Sequence, residues 1–274
     1  IAQCLVGSEM CIRDSGSTDQ SGALCDEWEK RDTRIRVVHQ KNQGLSAARN
    51  RGLEIISGEY VAFLDSDDII YEDAYRRMVK ALERTQADVA ICQEVLFYED
   101  GFTFPAYEAV WREKTEDRVQ LLKHLTDAWN VTAVIVNNKL YRKNLIGEHS
   151  FPVGRKMEDN YFNMDVLSDA TRAVWVEQKL YGYRQRKGSI MNDGDPDLYL
   201  AYRDALLYLR NQIRKTSLKE LYPLFDSYFL RNMARKRKQA LHRGMSDMAA
   251  ELKRFYIQAV SYTHLRAHET LSDL

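Results

Sequence analysis

Residues 59–68 read Glu-Tyr-Val-Ala-Phe-Leu-Asp-Ser-Asp-Asp, a short apolar run that ends in three carboxylates. Asp65 and Asp67 stand two residues apart, so in extended backbone both side chains point the same way. Two like charges held together repel unless a cation lies between them. A hard divalent ion that also carries a diphosphate answers this, since Mg²⁺ and Mn²⁺ take one or two carboxylates and complete their shells with phosphate oxygens. The competing explanation is local: Ser66, Asp67 and Asp68 can simply cap the helix that follows near Tyr71. A second acidic pair, Glu158-Asp159, opens a later helical segment, where negative charge in the first turn is favourable by itself. Arg49 lies one turn into an Ala-rich helix that follows a tight turn at Gly44, placed to meet a phosphate or a carboxylate or else merely exposed.

The pattern around these residues alternates strand and helix. Helices are expected over 21–31, 46–57 and 72–85, and strands over 35–39, 60–64 and 88–98, with Gly58 stopping the second helix and Glu99-Asp-Gly making a hairpin turn. Such alternation predicts an α/β domain with a mainly parallel sheet. Farther on, 115–129 reads as an amphipathic helix, 131–140 as strand or buried helix, 173–183 as strand, and a helix starts at Met157. Beyond a break at 192–196, residues 198–214 and 218–256 carry helical pattern only, a C-terminal appendage. In an open α/β sheet, ligands bind outside the carboxyl ends of the strands, which is where the loops at 14–19, 42–46 and 65–68 converge.

Composition limits the reading further. Apolar residues make up 45% and charged residues 29% of 274, the profile of a globular chain with a real core. Forty basic and forty acidic side chains cancel, so no global field argues for nucleic acid. The longest apolar run is far short of the roughly 20 residues a membrane span needs, and no signal peptide is legible. Cys4, Cys11, Cys25 and Cys92 show no metal spacing and read as reduced thiols of a cytoplasmic protein; His39, His124 and His149 show no ligand spacing either. Residues 1–15 and 259–274 fit the pattern poorly and read as a non-native leader and tail, to be set aside from the fold.

Taken together, Gly-Ser-Thr-Asp (16–19), Asn-x-Gly-Leu-Ser-x-Ala-Arg-Asn-x-Gly (42–52), the stretch 58–68 and Glu-Asp-x-x-Phe (158–162) resemble family 2 glycosyltransferases. Asn-Lys-Leu-Tyr (138–141) and Tyr-Arg-x-Arg-x-x-Ser-Ile (183–190) extend the likeness over 16–190, closest to bacterial members that build capsule, exopolysaccharide or lipopolysaccharide. The resemblance implies a GT-A, Rossmann-like fold over 16–190, followed by the helical region 191–258. It implies a nucleotide-diphosphate-sugar donor, Mn²⁺ or Mg²⁺, and inversion at the sugar carbon. Asp65 and Asp67 would be the Asp-x-Asp, with Asp67 the direct metal ligand. Asp14, Arg49, Asp65, Ser66 and Asp67 would line the donor site, and Asp159, or else Glu158, would be the general base. Two departures stand out: the family's first strand is expected to be missing, and Ser15 replaces an acid. A nucleotidyl or other phosphate-handling transferase, or a catalytically inactive nucleotide-sugar-binding or scaffolding protein, stays open beside the enzyme. UDP is the expected nucleotide, and a glycan or lipid-linked molecule the expected acceptor. Six Lys and Arg without an acid between Arg231 and Arg243 suggest contact with an anionic membrane surface, or a solvated helix face. Tyr107, Trp111, Trp129 and Tyr141 are offered as stacking partners for acceptor sugars, or as core and rim.

Overall fold

A computed structural model of the chain describes residues 2–6, 9–98, 102–104, 112–126, 131–185 and 195–272. The first half alternates as expected. A hairpin of β1 (Ala2–Val6) and β2 (Glu9–Asp14) leads to α1 (Ser21–Arg31), β3 (Ile35–His39), α2 (Leu45–Ile55) and β4 (Tyr60–Asp65). The two-residue β5 (Ile69–Ile70), α3 (Ala74–Thr85) and β6 (Val89–Phe97) follow. Then come β7 (Glu113–Asp117), α4 (Arg118–His124), α5 (Val131–Val134), β8 (Lys139–Arg142), α6 (Lys143–Ile146), α7 (Glu158–Asp169) and β9 (Arg172–Arg184). The chain ends in α8 (Pro196–Ile213), a short 3-10 turn (Lys219–Leu221), α9 (Tyr222–His242) and α10 (Ser246–Ser272).

The nine strands among the described residues form one sheet in the order β3-β2-β1-β4-β8-β6-β9-β5, with β7 beside the first half of β9. The α/β class holds, but the sheet is mixed rather than mainly parallel. Among the described residues only the β2–β3 and β6–β9 ladders are parallel. The reason is connectivity: β1 turns straight back into β2, and the short β8 inserts antiparallel between β4 and β6. Residues 2–6 and 9–14, set aside on sequence grounds, form two strands of this sheet, and β1 fills the slot beside β4 running antiparallel to it.

The ambiguous segment 131–140 is both things in turn, α5 and then the start of β8. The helix expected from residue 115 begins only at Arg118, because Glu113–Asp117 pairs with β9 as a strand. The expected turn at 99–101 lies outside the described residues.

Aromatic side chains close the core behind the carboxyl end of β4. Phe63 meets Phe151 edge-on at 5.1 Å and Phe162 at 5.6 Å, and Phe151 stacks on Phe162 at 4.0 Å. Tyr141, offered as a sugar-stacking residue, belongs to this core: it is fully buried and its hydroxyl donates to Asn163 at 2.9 Å. Tyr107, Trp111 and Trp129 lie outside the described residues. The helical region after β9 is not held at arm's length, since Leu209 and Ile213 of α8 and Phe225 of α9 share one buried cluster with Phe63 and Phe162. No helix among the described residues is long and apolar enough to cross a membrane.

Candidate active site

Arg49 is the centre of the site. Gly44, with φ of 84°, lets the chain turn into α2 where a side chain would be strained, and one turn later Arg49 is buried at 2% exposure. Its guanidinium lies over the Phe151 ring, 5.1 Å from the centroid, so the aromatic core fixes its plane. One Nη donates to Asp159 at 2.6 Å and to Glu158 at 3.1 Å, and the other donates to Asp65 at 3.2 Å and to the Asn137 side-chain oxygen at 3.4 Å. A single cation thus ties the acidic end of β4 to the first turn of α7. Burial disfavours its charge, but Asp159, Asp65 and Glu158 outweigh that cost and raise its pKa further.

The acids are held as firmly as the arginine. Asp65 also accepts from the Asn137 side-chain amide at 2.8 Å, and Asp159 from the Val136 N–H at 3.3 Å. Met157, just before the pair, sits in the left-handed region at φ 64°, a strained conformation for a non-glycine residue. Burial, and then the charge of Asp159, push the Glu158 carboxyl up to about 7, with Arg49 opposing them.

Asp68 does a different job. Tyr181 donates its hydroxyl to one oxygen, the Arg184 N–H donates to the other at 2.8 Å, and Arg184 Nε donates to the Asp67 carbonyl at 2.8 Å. The acidic turn is therefore clamped to β9, with Ser66 exposed at its tip and Asp67 half-buried beside it. Burial pushes Asp68 up to about 6 against those two donors. Gly182 permits the clamp, because a Cβ there would stand 2.5 Å from Ile69 Cγ1.

The structure brings Arg49, Asp65, Glu158 and Asp159 into one network and sets Ser66 and Asp67 at its rim. Asp14 is not part of it. Its carboxylate accepts the Ser17 N–H at 2.9 Å and pairs with His39 at 2.8 Å, beside α1. The Ser17 hydrogen bonds, with His39 behind them, hold its pKa below the usual carboxylate range against burial.

Sequence reasoning missed Asn137, one residue before a motif it noted, and the Asp68 clamp, whose partners lie more than a hundred residues away. It quoted Lys139 within that motif but gave it no role. That side chain is fully buried, and its ammonium donates to the carbonyls of Thr132 at 2.9 Å and Ile135 and to the Asn138 side chain at 3.1 Å. It pins the connection that presents Val136 and Asn137 to the acids. Burial pulls its pKa down to about 7 despite the nearby charges of Asp159 and Glu94.

Among the described residues no three His, Cys, Asp or Glu side chains gather as a metal cage. Asp65 is engaged by Arg49 and Asn137, and Asp67 is the next carboxylate on the turn; these two are the residues that could hold a divalent cation.

Comparison with known proteins identifies the family. The family profile described as "Glycosyl transferase family 2" matches residues 2–149. The chain is 35% identical over 195 residues to "Glycosyltransferase GlyA" of Streptococcus pneumoniae, covering 69% of this chain and 28% of that protein. It is 31% identical over 196 residues to "Uncharacterized glycosyltransferase EpsJ" of Bacillus subtilis, covering 69% and 56%. It therefore spans only part of the length of these relatives. The solved structure of S. aureus TarS 1-349 in complex with UDP-GlcNAc matches with a TM-score of 0.68 at 20% identity, over 91% of this chain and 72% of that one. That likeness establishes a GT-A fold, a central sheet flanked by helices. With a family profile over more than half its length, this chain belongs to glycosyltransferase family 2.

Proposed function

We propose that the chain carries the donor and catalytic sites of an enzyme that moves a sugar from a nucleotide-diphosphate-sugar, UDP as the nucleotide, to a glycan or lipid-linked acceptor with inversion. Cell-surface polysaccharide synthesis at the cytoplasmic face of the membrane is the setting this chemistry suits. The observation that carries the reading is Arg49 bridging the acidic end of β4 to the Glu158-Asp159 pair. It sets a donor-binding turn and a candidate base a few ångströms apart. The structural neighbour that holds UDP-GlcNAc shares the fold in which this would happen.

In this reading Asp67, backed by Asp65, holds Mn²⁺ or Mg²⁺. The ion, when bound, supplies positive charge to the diphosphate that departs. Arg49 holds Asp65 in place, and Asp68 keeps the turn on β9. Asp159 takes the proton from the acceptor hydroxyl as that oxygen attacks the anomeric carbon, and Glu158 sets the charge around it. One displacement suffices, so no carboxylate acts as nucleophile.

The test is calorimetric binding of UDP, with and without Mn²⁺, by the chain and by Asp67→Ala. Binding that needs both the ion and Asp67 is expected. Tight binding without metal and unaltered by Asp67→Ala would overturn the mechanism.

A further inference from the structure

A second concentration of charge lies away from the acid network, on α9. From Arg231 to Arg243 the sequence carries six Lys and Arg, together with His242, and no acid. Against α8 this face forms a cleft of about 450 Å³, walled by Tyr199, Arg235, Lys236, Lys238, His242 and Arg243. Two of the cations are fixed by their neighbours, while Lys238 and Arg243 are exposed. Lys236 is half-buried, its ammonium 4.4 Å from the centre of the Tyr202 ring and 5.6 Å from that of Tyr199. Arg235 is fixed by donating to the Tyr202 hydroxyl at 3.2 Å and the Asn232 carbonyl at 2.8 Å, both neutral acceptors.

The electrostatics ask for an anion. Burial lowers the pKa of Lys236, and the charges of Arg235 and Arg243 lower it further. Acids nearby are engaged elsewhere: Asp195 at the rim pairs with Lys156, Asp226 with Arg210 and Arg214, and Glu251 with Arg203. Cations held together over aromatic rings, in a cleft open to solvent, gain most from a compact, multiply charged ligand.

The geometry points to this cleft as a binding site for a phosphate-bearing anion, either the headgroup of a membrane lipid or a soluble phosphate, held by Lys236, Lys238 and Arg243. The Asp195–Lys156 pair ties its rim to the segment two residues before Glu158, so an occupant there would sit beside the chain that leads into the acid pair. The inference does not depend on the sugar-transfer reading.

Two variants separate the cleft from net charge: Lys236→Gln/Lys238→Gln inside it, and Lys253→Gln/Arg254→Gln on the exposed face of α10. Each is compared with the unaltered chain by calorimetry with inorganic pyrophosphate and by co-sedimentation with phosphatidylglycerol vesicles, thermal unfolding serving as the control for folding. The cleft variant is expected to bind more weakly, roughly fivefold for each charge removed, while the α10 variant keeps its affinity. Vesicle binding that pyrophosphate displaces assigns the site to lipid phosphate. Pyrophosphate binding without vesicle binding assigns it to a soluble phosphate. Binding of neither probe, or equal losses in the two variants, overturns the proposal.

Discussion

Arg49 meets three carboxylates, so its one positive charge cannot neutralise the site, and the residual negative charge falls on the Glu158-Asp159 pair. Burial and the neighbouring charge of Asp159 disfavour ionisation of Glu158. Glu158, raised to about 7 by burial and by Asp159, releases its proton only as the pH climbs through neutrality. If transfer needs the pair fully ionised, activity rises with pH across that window and falls below it. Asp159→Asn is expected to lower kcat by about 10²–10⁴ while leaving UDP binding in place. Glu158→Gln, which fixes a neutral group at that position, is expected to hold activity near its low-pH level and to flatten the pH profile, because the group that titrates near 7 is gone. The opposite pattern, with Glu158→Gln inactive and Asp159→Asn active, would make Glu158 the base. At this scale the sequence was informative where chemistry is written in short spacing: Asp65, Arg49 and Asp159 were named, and they converge. Asn137 and the Tyr181–Asp68 contact were not legible, because nothing local distinguishes an asparagine that will reach a carboxylate 72 residues away.

Elements whose apolar spacing is clear were read almost to the residue, as α1 and β3 show. Failures came where tertiary pairing overrides local pattern. Glu113–Asp117 looks like the polar start of a helix, yet it pairs with β9 and buries Glu116, whose carboxylate takes Lys114, His124 and the Trp175 N–H. The β2 strand poses the sharper conflict. Its sequence did not look like a sheet strand, and in the sheet it carries Arg13 at 0% exposure. One Nη of Arg13 donates to the Ile12 carbonyl at 3.0 Å, while Nε and the other Nη have no partner among the described residues. Leaving buried donors unmet costs about 1–3 kcal/mol. Arg13→Met, of similar length and able to fill an irregular space, is therefore expected to raise the urea midpoint by an amount within that range. An unchanged or lower midpoint would show that the guanidinium stabilises β2 in a way its neighbours do not reveal.

The buried side chains among the described residues form three clusters, and the C-terminal helices divide between two of them. Leu209, Ile213, Leu221 and Phe225 pack into the cluster that holds Phe63 and Phe162, and the Tyr208 hydroxyl donates to Asp165 of α7 at 2.8 Å. By contrast, Ala249, Leu252 and Ala259 of α10 belong to a separate cluster with Phe229 and Met233 of α9. Helical periodicity found these helices but could not say what they pack on, which is why they read as an appendage. The distinction sets opposite outcomes for two truncations. Ending the chain after residue 190 strips those four side chains from the core, each worth roughly 1.5–3 kcal/mol of burial, a total comparable to the roughly 5–15 kcal/mol that holds a domain together. That fragment is expected to lack a cooperative urea transition. Ending it after residue 245 removes only α10, and the remainder is expected to unfold in one transition at a lower midpoint. A cooperative transition in the shorter fragment, seen by circular dichroism and tryptophan fluorescence alike, would mean that the α/β sheet closes its core without α8 and α9.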